Sequence, residues 1–155
     1  MSSISGLTLT MSSGIIYSAS KFALEAISEG LQLQLKPFGI RILIVEPGLF
    51  RTNWLIGSFK TPEKGLNEGY IGTDIDEGLM KYPTIHGFQD GDPKMAAKII
   101  IDIITGVGIG NDDKVQSCLR LPLGIDAIEK AREYVKKLSE ELDSIESIAR
   151  STNFK

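Results

Sequence analysis

Residues 40–48 read IRILIVEPG, a short β-branched run, nearly continuously apolar from Ile40 to Val45, that stops on Pro-Gly. A run of this length and composition with polar punctuation is the signature of a parallel strand buried on both faces. It follows directly on a long amphipathic stretch from about Ile15 to Pro37, where Phe22, Ala23, Ala26, Ile27, Leu31 and Leu35 recur at intervals of three and four before KPFG ends the helix. A helix feeding a doubly buried strand demands helices on the faces of a parallel sheet, so the expected fold class is α/β.

The rest of the chain fits that layer. GDPKMAAKIIIDIITG carries a full set of helix signals, with Asp92 as N-cap, Pro93 at the first helical position and Gly106 as the C-terminal stop. KVQSCLRLPLG offers a second strand. The closing helix begins near GIDAIEK, where Asp126 and Glu129 have the spacing of a capping box. In this helix Ile128, Ala131, Val135, Leu138, Leu142 and Ile145 form one stripe, which suits either core packing or a coiled-coil seam. Residues 1–14, rich in Ser, Thr and Gly, read as a loop. Residues 49–91 show no sustained period apart from a short helix near DIDEGLMKY. An irregular excursion of that length is usually functional or mobile.

Composition removes several function classes. In 155 residues, 42% hydrophobic and 24% charged, there is enough apolar material for one core and no sign of disorder. A net charge of −3 with scattered Lys and Arg argues against a nucleic-acid partner. No apolar run is long enough to span a membrane, and MSSISGLTLTMSSG does not resemble a signal peptide. The single cysteine, Cys118, reads as a small buried hydrophobe in a reducing, cytoplasmic setting. His86 has no second His or Cys near it and is not expected to bind a metal. GVGIG, residues 106–110, follows a helix and lacks the spacing of a dinucleotide turn, so it reads as a helix stop and loop.

Chemistry concentrates in YSASKFALEAISEGL, where Tyr17 and Lys21 lie four apart and therefore on one helix face. A free phenol titrates near pH 10, and an ammonium close by favours the phenolate, so such a pair can pass a proton to or from an alcohol oxygen. This motif, preceded by SSISGL and followed by IRILIVEPGLFRT, resembles the short-chain dehydrogenase/reductase family through three motifs in the family's order. GDPKMAAKIII, the strand ending in LRLPLG and the last helix extend the likeness to the end of the chain.

The resemblance implies the C-terminal half of a Rossmann-like doubly wound parallel sheet. On it, Tyr17 is the acid in carbonyl reduction and the base in alcohol oxidation, and Lys21 supports its ionised form and bonds the nicotinamide ribose. Ser3 matches the serine that holds the substrate oxygen, one position further from Tyr17 than the family's usual spacing, with Ser2 and Ser5 as alternatives. Pro47 and Gly48 shape a turn against the nicotinamide, the backbone of Phe50 bonds its carboxamide, and Thr52 adds a hydroxyl. The cofactor is NADP, ahead of NAD; the substrate is a small carbonyl or alcohol, and the intact family member is a homo-oligomer joined through the Tyr17 helix. One partial domain is expected, with an active-site segment (1–52), a substrate-loop region (53–91) whose Trp54, Phe59, Tyr70, Tyr82 and Phe88 cover an apolar substrate, and a C-terminal helix–strand–helix (92–155).

The family's N-terminal glycine turn and first strands have no counterpart here, so the chain is expected to be truncated, with an apolar strand edge left open and poor solubility as the consequence. The alternative is a catalytically inactive fragment serving as a dimerisation or interaction module.

Overall fold

The computed structural model describes residues 1–154. Helix α1 (Ile15–Leu35) leads through a short 3₁₀ turn to strand β1 (Ile44–Pro47). Then come α2 (Trp54–Gly57), α3 (Asp74–Thr84), α4 (Pro93–Thr105), α5 (Asp113–Ser117), strand β2 (Arg120–Leu123) and α6 (Ile125–Ser151). β1 and β2 pair in parallel, with Ile44 opposite Arg120 and Pro47 opposite Leu123. The fold is thus α/β, a small parallel sheet among helices.

β1 starts four residues later than the apolar run suggested. Its partner is only four residues long, so Ile40–Leu43 find no ladder, and the Gln32 side chain takes the Ile42 N–H instead (2.8 Å). Pro122 breaks no pairing at the centre of a wider sheet because, among the described residues, β2 has β1 as its one strand neighbour. On its other side β1 meets the chain where the Ser2 N–H donates to the Val45 carbonyl (2.8 Å).

α1 is turned the opposite way from its hydrophobic pattern. Phe22, Ile27 and Leu31 of the apolar stripe are exposed, whereas Ser18 and Glu25 are buried. The reason lies on β2, where the Arg120 guanidinium donates to Glu46 of β1 (2.6 Å) and also to Glu25 and Glu29 of α1. Electrostatic demand from one half-buried cation holds the helix in this rotation.

α4 follows its local signals. Asp92 Oδ1 accepts from the N–H groups of Lys94 (2.8 Å) and Met95 (3.4 Å), Pro93 opens the helix, and Gly106 takes the left-handed conformation at φ 71°. Two other local expectations fail. Cys118 is exposed and donates its thiol to the Lys114 carbonyl (3.1 Å). Asp126 does not cap α6; Gly124 is the N-cap residue, and the Asp126 carboxylate is committed elsewhere. From Val135 onward the α6 stripe is exposed, so it is not core.

Candidate active site

All seven residues expected at the site, Ser3, Tyr17, Lys21, Pro47, Gly48, Phe50 and Thr52, line one cavity of about 510 Å³. That volume lies within the range of small-molecule sites. Three elements converge to make it: the residues before α1, the first turns of α1, and the turn that leaves β1 at its carboxyl end, where open α/β sheets bind ligands.

Tyr17 and Lys21 are both half-buried, and the Lys21 Nζ sits 5.6 Å from the centre of the Tyr17 ring. The ammonium also donates to the Met1 carbonyl (3.3 Å). Their orientation follows from the rotation of α1, since Lys21 lies one turn before Glu25, which Arg120 holds. The three candidate serines separate by their partners. Ser3 Oγ accepts from the Ser5 N–H (3.2 Å) and contacts the Pro47 carbonyl at 3.5 Å, bridging to the turn after β1. Ser5 Oγ is engaged with Thr10 Oγ1 (2.6 Å), and the buried Ser2 hydroxyl has no partner among the described residues.

The Pro47–Thr52 turn is pinned from outside. The Gly48 N–H continues the ladder to the Leu123 carbonyl (2.9 Å), and the Leu49 N–H donates to Asp126 Oδ2 (2.9 Å). A Cβ at position 48 would run into the Asp126 carboxylate, so a larger residue there must displace the acceptor of the Leu49 N–H. Further on, Arg51 donates from its backbone to the Gly91 carbonyl (2.9 Å) and from Nε to the Gln89 carbonyl (3.0 Å). Among the described residues the Phe50 N–H has no backbone partner, which leaves it available to a ligand carbonyl. With Lys21 and Thr52 lining the same cavity, the residues present fit the nicotinamide end of a dinucleotide.

Of the five aromatics in the irregular region, three assemble. Trp54 packs on Tyr17 (ring centres 5.7 Å apart) and on Phe59 (5.7 Å), which stacks on Tyr82 (6.1 Å). Trp54 and Tyr82 line the cavity, while Tyr70 and Phe88 lie exposed and away from it. Burial, and then the charge of Asp126, raise the Tyr82 phenol above its ordinary value.

A model of the family described as short chain dehydrogenase matches residues 1–63. An uncharacterised oxidoreductase of Bacillus subtilis, YusZ, is 32% identical over 130 residues, covering 80% of this chain and 41% of that protein. A crystal structure of a short-chain dehydrogenase from Streptomyces avermitilis superposes with a TM-score of 0.72 at 34% identity, over 99% of this chain and 51% of the other. The chain belongs to the short-chain dehydrogenase/reductase family. A probable short-chain type dehydrogenase/reductase of Helicobacter pylori, VdlC, adds 48% identity over 48 residues, 31% of this chain and 18% of that protein. The chain thus spans about half the length of the relatives it matches, or less. No helix of the described residues is long and apolar enough to cross a membrane.

Two features of this family member escaped the sequence. Asp126 looked like a helix cap, and only its distance from Leu49, 77 residues along the chain, hides its real acceptor role. The Glu25–Glu46–Arg120 cluster had one visible trace, an acid in the strand IVEP. Glu46 is 0% exposed; burial, against the pull of the Arg120 hydrogen bond and with the added charge of Glu25, raises its carboxyl to about 7. Burial also disfavours the Arg120 charge, but hydrogen bonds to Glu46 and Glu25 outweigh it and hold the guanidinium above its ordinary value.

Proposed function

We propose that this chain carries the catalytic and substrate-facing part of an NAD(P)-dependent oxidoreductase that interconverts a carbonyl and an alcohol. The observation that supports it is the convergence of Tyr17, Lys21 and the Pro47–Thr52 turn on one cavity. In reduction the Tyr17 hydroxyl donates its proton to the substrate oxygen, and in oxidation its phenolate takes that proton back. The Lys21 ammonium, whose Nζ lies 5.6 Å from the centre of the Tyr17 ring, lines the same cavity beside it. Ser3, which lines the same cavity beside the Pro47 carbonyl, donates its hydroxyl to the same oxygen and orients it.

A bound nicotinamide supplies or accepts the hydride. Lys21 would hold its ribose, the Phe50 N–H its carboxamide, Pro47 and Gly48 the ring face, and Thr52 would add a hydroxyl. Trp54, Tyr82 and Ile100 make the substrate side of the cavity apolar, which suits a substrate with a hydrocarbon body. A second reading, a catalytically silent dimerisation module, draws on the exposed apolar face of α1.

In a protein containing these residues, Tyr17→Phe is expected to lower turnover about 10³-fold while leaving NADPH or NADH binding within about threefold. Turnover retained in that variant removes Tyr17 from its role. If the wild-type protein binds neither nucleotide in a fluorescence titration, the enzymatic reading fails and the module reading stands.

A further inference from the structure

The outer part of α6 runs free of the domain. Val135 is 60% exposed, Leu138 40%, Leu142 55% and Ile145 50%, although these four follow one another at spacings of three, four and three. Extended backwards to Ile128 and Ala131 and forwards to Ala149, the pattern keeps the same alternation, which is the a/d seam of a coiled coil. A continuous apolar seam left in solvent marks a contact surface. A lipid surface is disfavoured: from Arg132 to Arg150 the helix bears four basic residues (Arg132, Lys136, Lys137, Arg150) and five acidic ones (Glu133, Glu140, Glu141, Asp143, Glu146).

The charges that flank the seam select the occupant and its direction. With Val135 and Leu142 at a and Leu138 and Ile145 at d, the e positions are Arg132, Ser139 and Glu146, and the g positions Tyr134, Glu141 and Ile148. A parallel pair would set Glu141 against Glu146 on both sides, two like-charge contacts. An antiparallel pair centred near residue 140 instead seats Val135 on Ile145 of the second copy and Leu138 on Leu142. The same register brings Arg132 to Glu146 of the second copy twice, and Tyr134 to Ile148 twice. Its one like-charge contact, Glu141 with its own copy, is softened by Lys137, whose Nζ lies 3.8 Å from Glu141. Glu146 is free to take part: both bonds from Arg150 fall on its Oε1, leaving Oε2 open. Arg132 has no ion-pair partner among the described residues.

We infer that the outer part of α6 is a homodimerisation helix that pairs antiparallel with α6 of a second copy, in the register that joins Arg132 to Glu146. The pairing is independent of the active site and of any contact through α1.

The register places Ser139 opposite its own copy, whereas Glu133 points away from the seam. The test therefore uses Ser139→Cys and, separately, Glu133→Cys, each in a Cys118→Ser background with oxidised glutathione as the oxidant. Ser139→Cys is expected to form a disulfide-linked dimer readily and Glu133→Cys to stay single. Adding Arg132→Glu to Ser139→Cys is expected to slow cross-linking about tenfold, and adding Glu146→Arg as well to return it to within about threefold. All these positions are exposed, so folding is not at stake, and circular dichroism of each variant checks it. Equal cross-linking of Ser139→Cys and Glu133→Cys, no cross-linking of Ser139→Cys, or a charge reversal that the second reversal does not rescue overturns the pairing. Each of those results would point to another occupant of the seam.

Discussion

The inner face of α1 and the outer part of α6 reverse the usual order of burial in opposite ways. α1 turns Ser18, Lys21 and Glu25 inward and leaves Phe22 and Ile27 in water, whereas α6 beyond Val135 leaves every seam residue in water with nothing beneath it. Polar burial in α1 is bought by partners: one guanidinium serves three carboxylates, and the helix is thereby rotated so that Tyr17 and Lys21 meet the cavity. Apolar exposure in α6 has no such compensation within the described chain. Misplaced polarity thus points inward to chemistry, and misplaced hydrophobicity points outward to another molecule.

Replacing Arg120 strikes the polar interior hardest. Arg120→Met leaves Glu46 and Glu25 buried without a cation, and a loss of about 3 kcal/mol or more is expected in urea unfolding. An unchanged midpoint would mean that α1 is held by something other than the cluster.

Glu46 sets the next effect, through pH. Its carboxyl is raised from 4.5 to about 7 in the folded chain. Below pH 4.5 both states hold the proton; between 4.5 and about 7 only the folded state does, so this group's contribution to stability falls as pH rises through that window and is flat above it. Unfolding midpoints across the window should show that decline in the wild type and lose it in Glu46→Gln. A wild-type contribution that rises with pH would reverse the assignment.

Asp126→Ala should cost about 1–2 kcal/mol, because the Leu49 N–H loses its acceptor. Hydrogen exchange at the Leu49 amide should quicken in that variant and much less in Asp126→Asn, which keeps a carbonyl oxygen. At the far end of the scale, Leu142→Ala on the exposed seam should change the stability of the dilute protein by less than about 0.5 kcal/mol. A larger loss there would show that the outer helix already has a partner.

The legibility of each element tracks how local its cause is. α4 was readable to the residue because Asp92, Pro93 and Gly106 act on backbone within a turn of themselves. The convergence of Tyr17 and Lys21 was readable for the same reason, four residues apart on one helix. The facing of α1 was not, because Arg120 lies 95 positions from Glu25 and overrides a hydrophobic pattern that pointed the other way. β1 began late because pairing length is decided by β2, and Asp126 passed for a cap because its acceptor role joins it to a turn far back in the chain.

Trp54 is the chain's one tryptophan, and its indole stands 5.7 Å from the Tyr17 ring at the rim of the cavity. Indole emission from this protein, excited beyond the tyrosine absorption, is therefore a signal from the lining of this cavity alone. Quenching or a spectral shift on adding a small molecule reports occupancy there, with no label to attach and no background from a second indole.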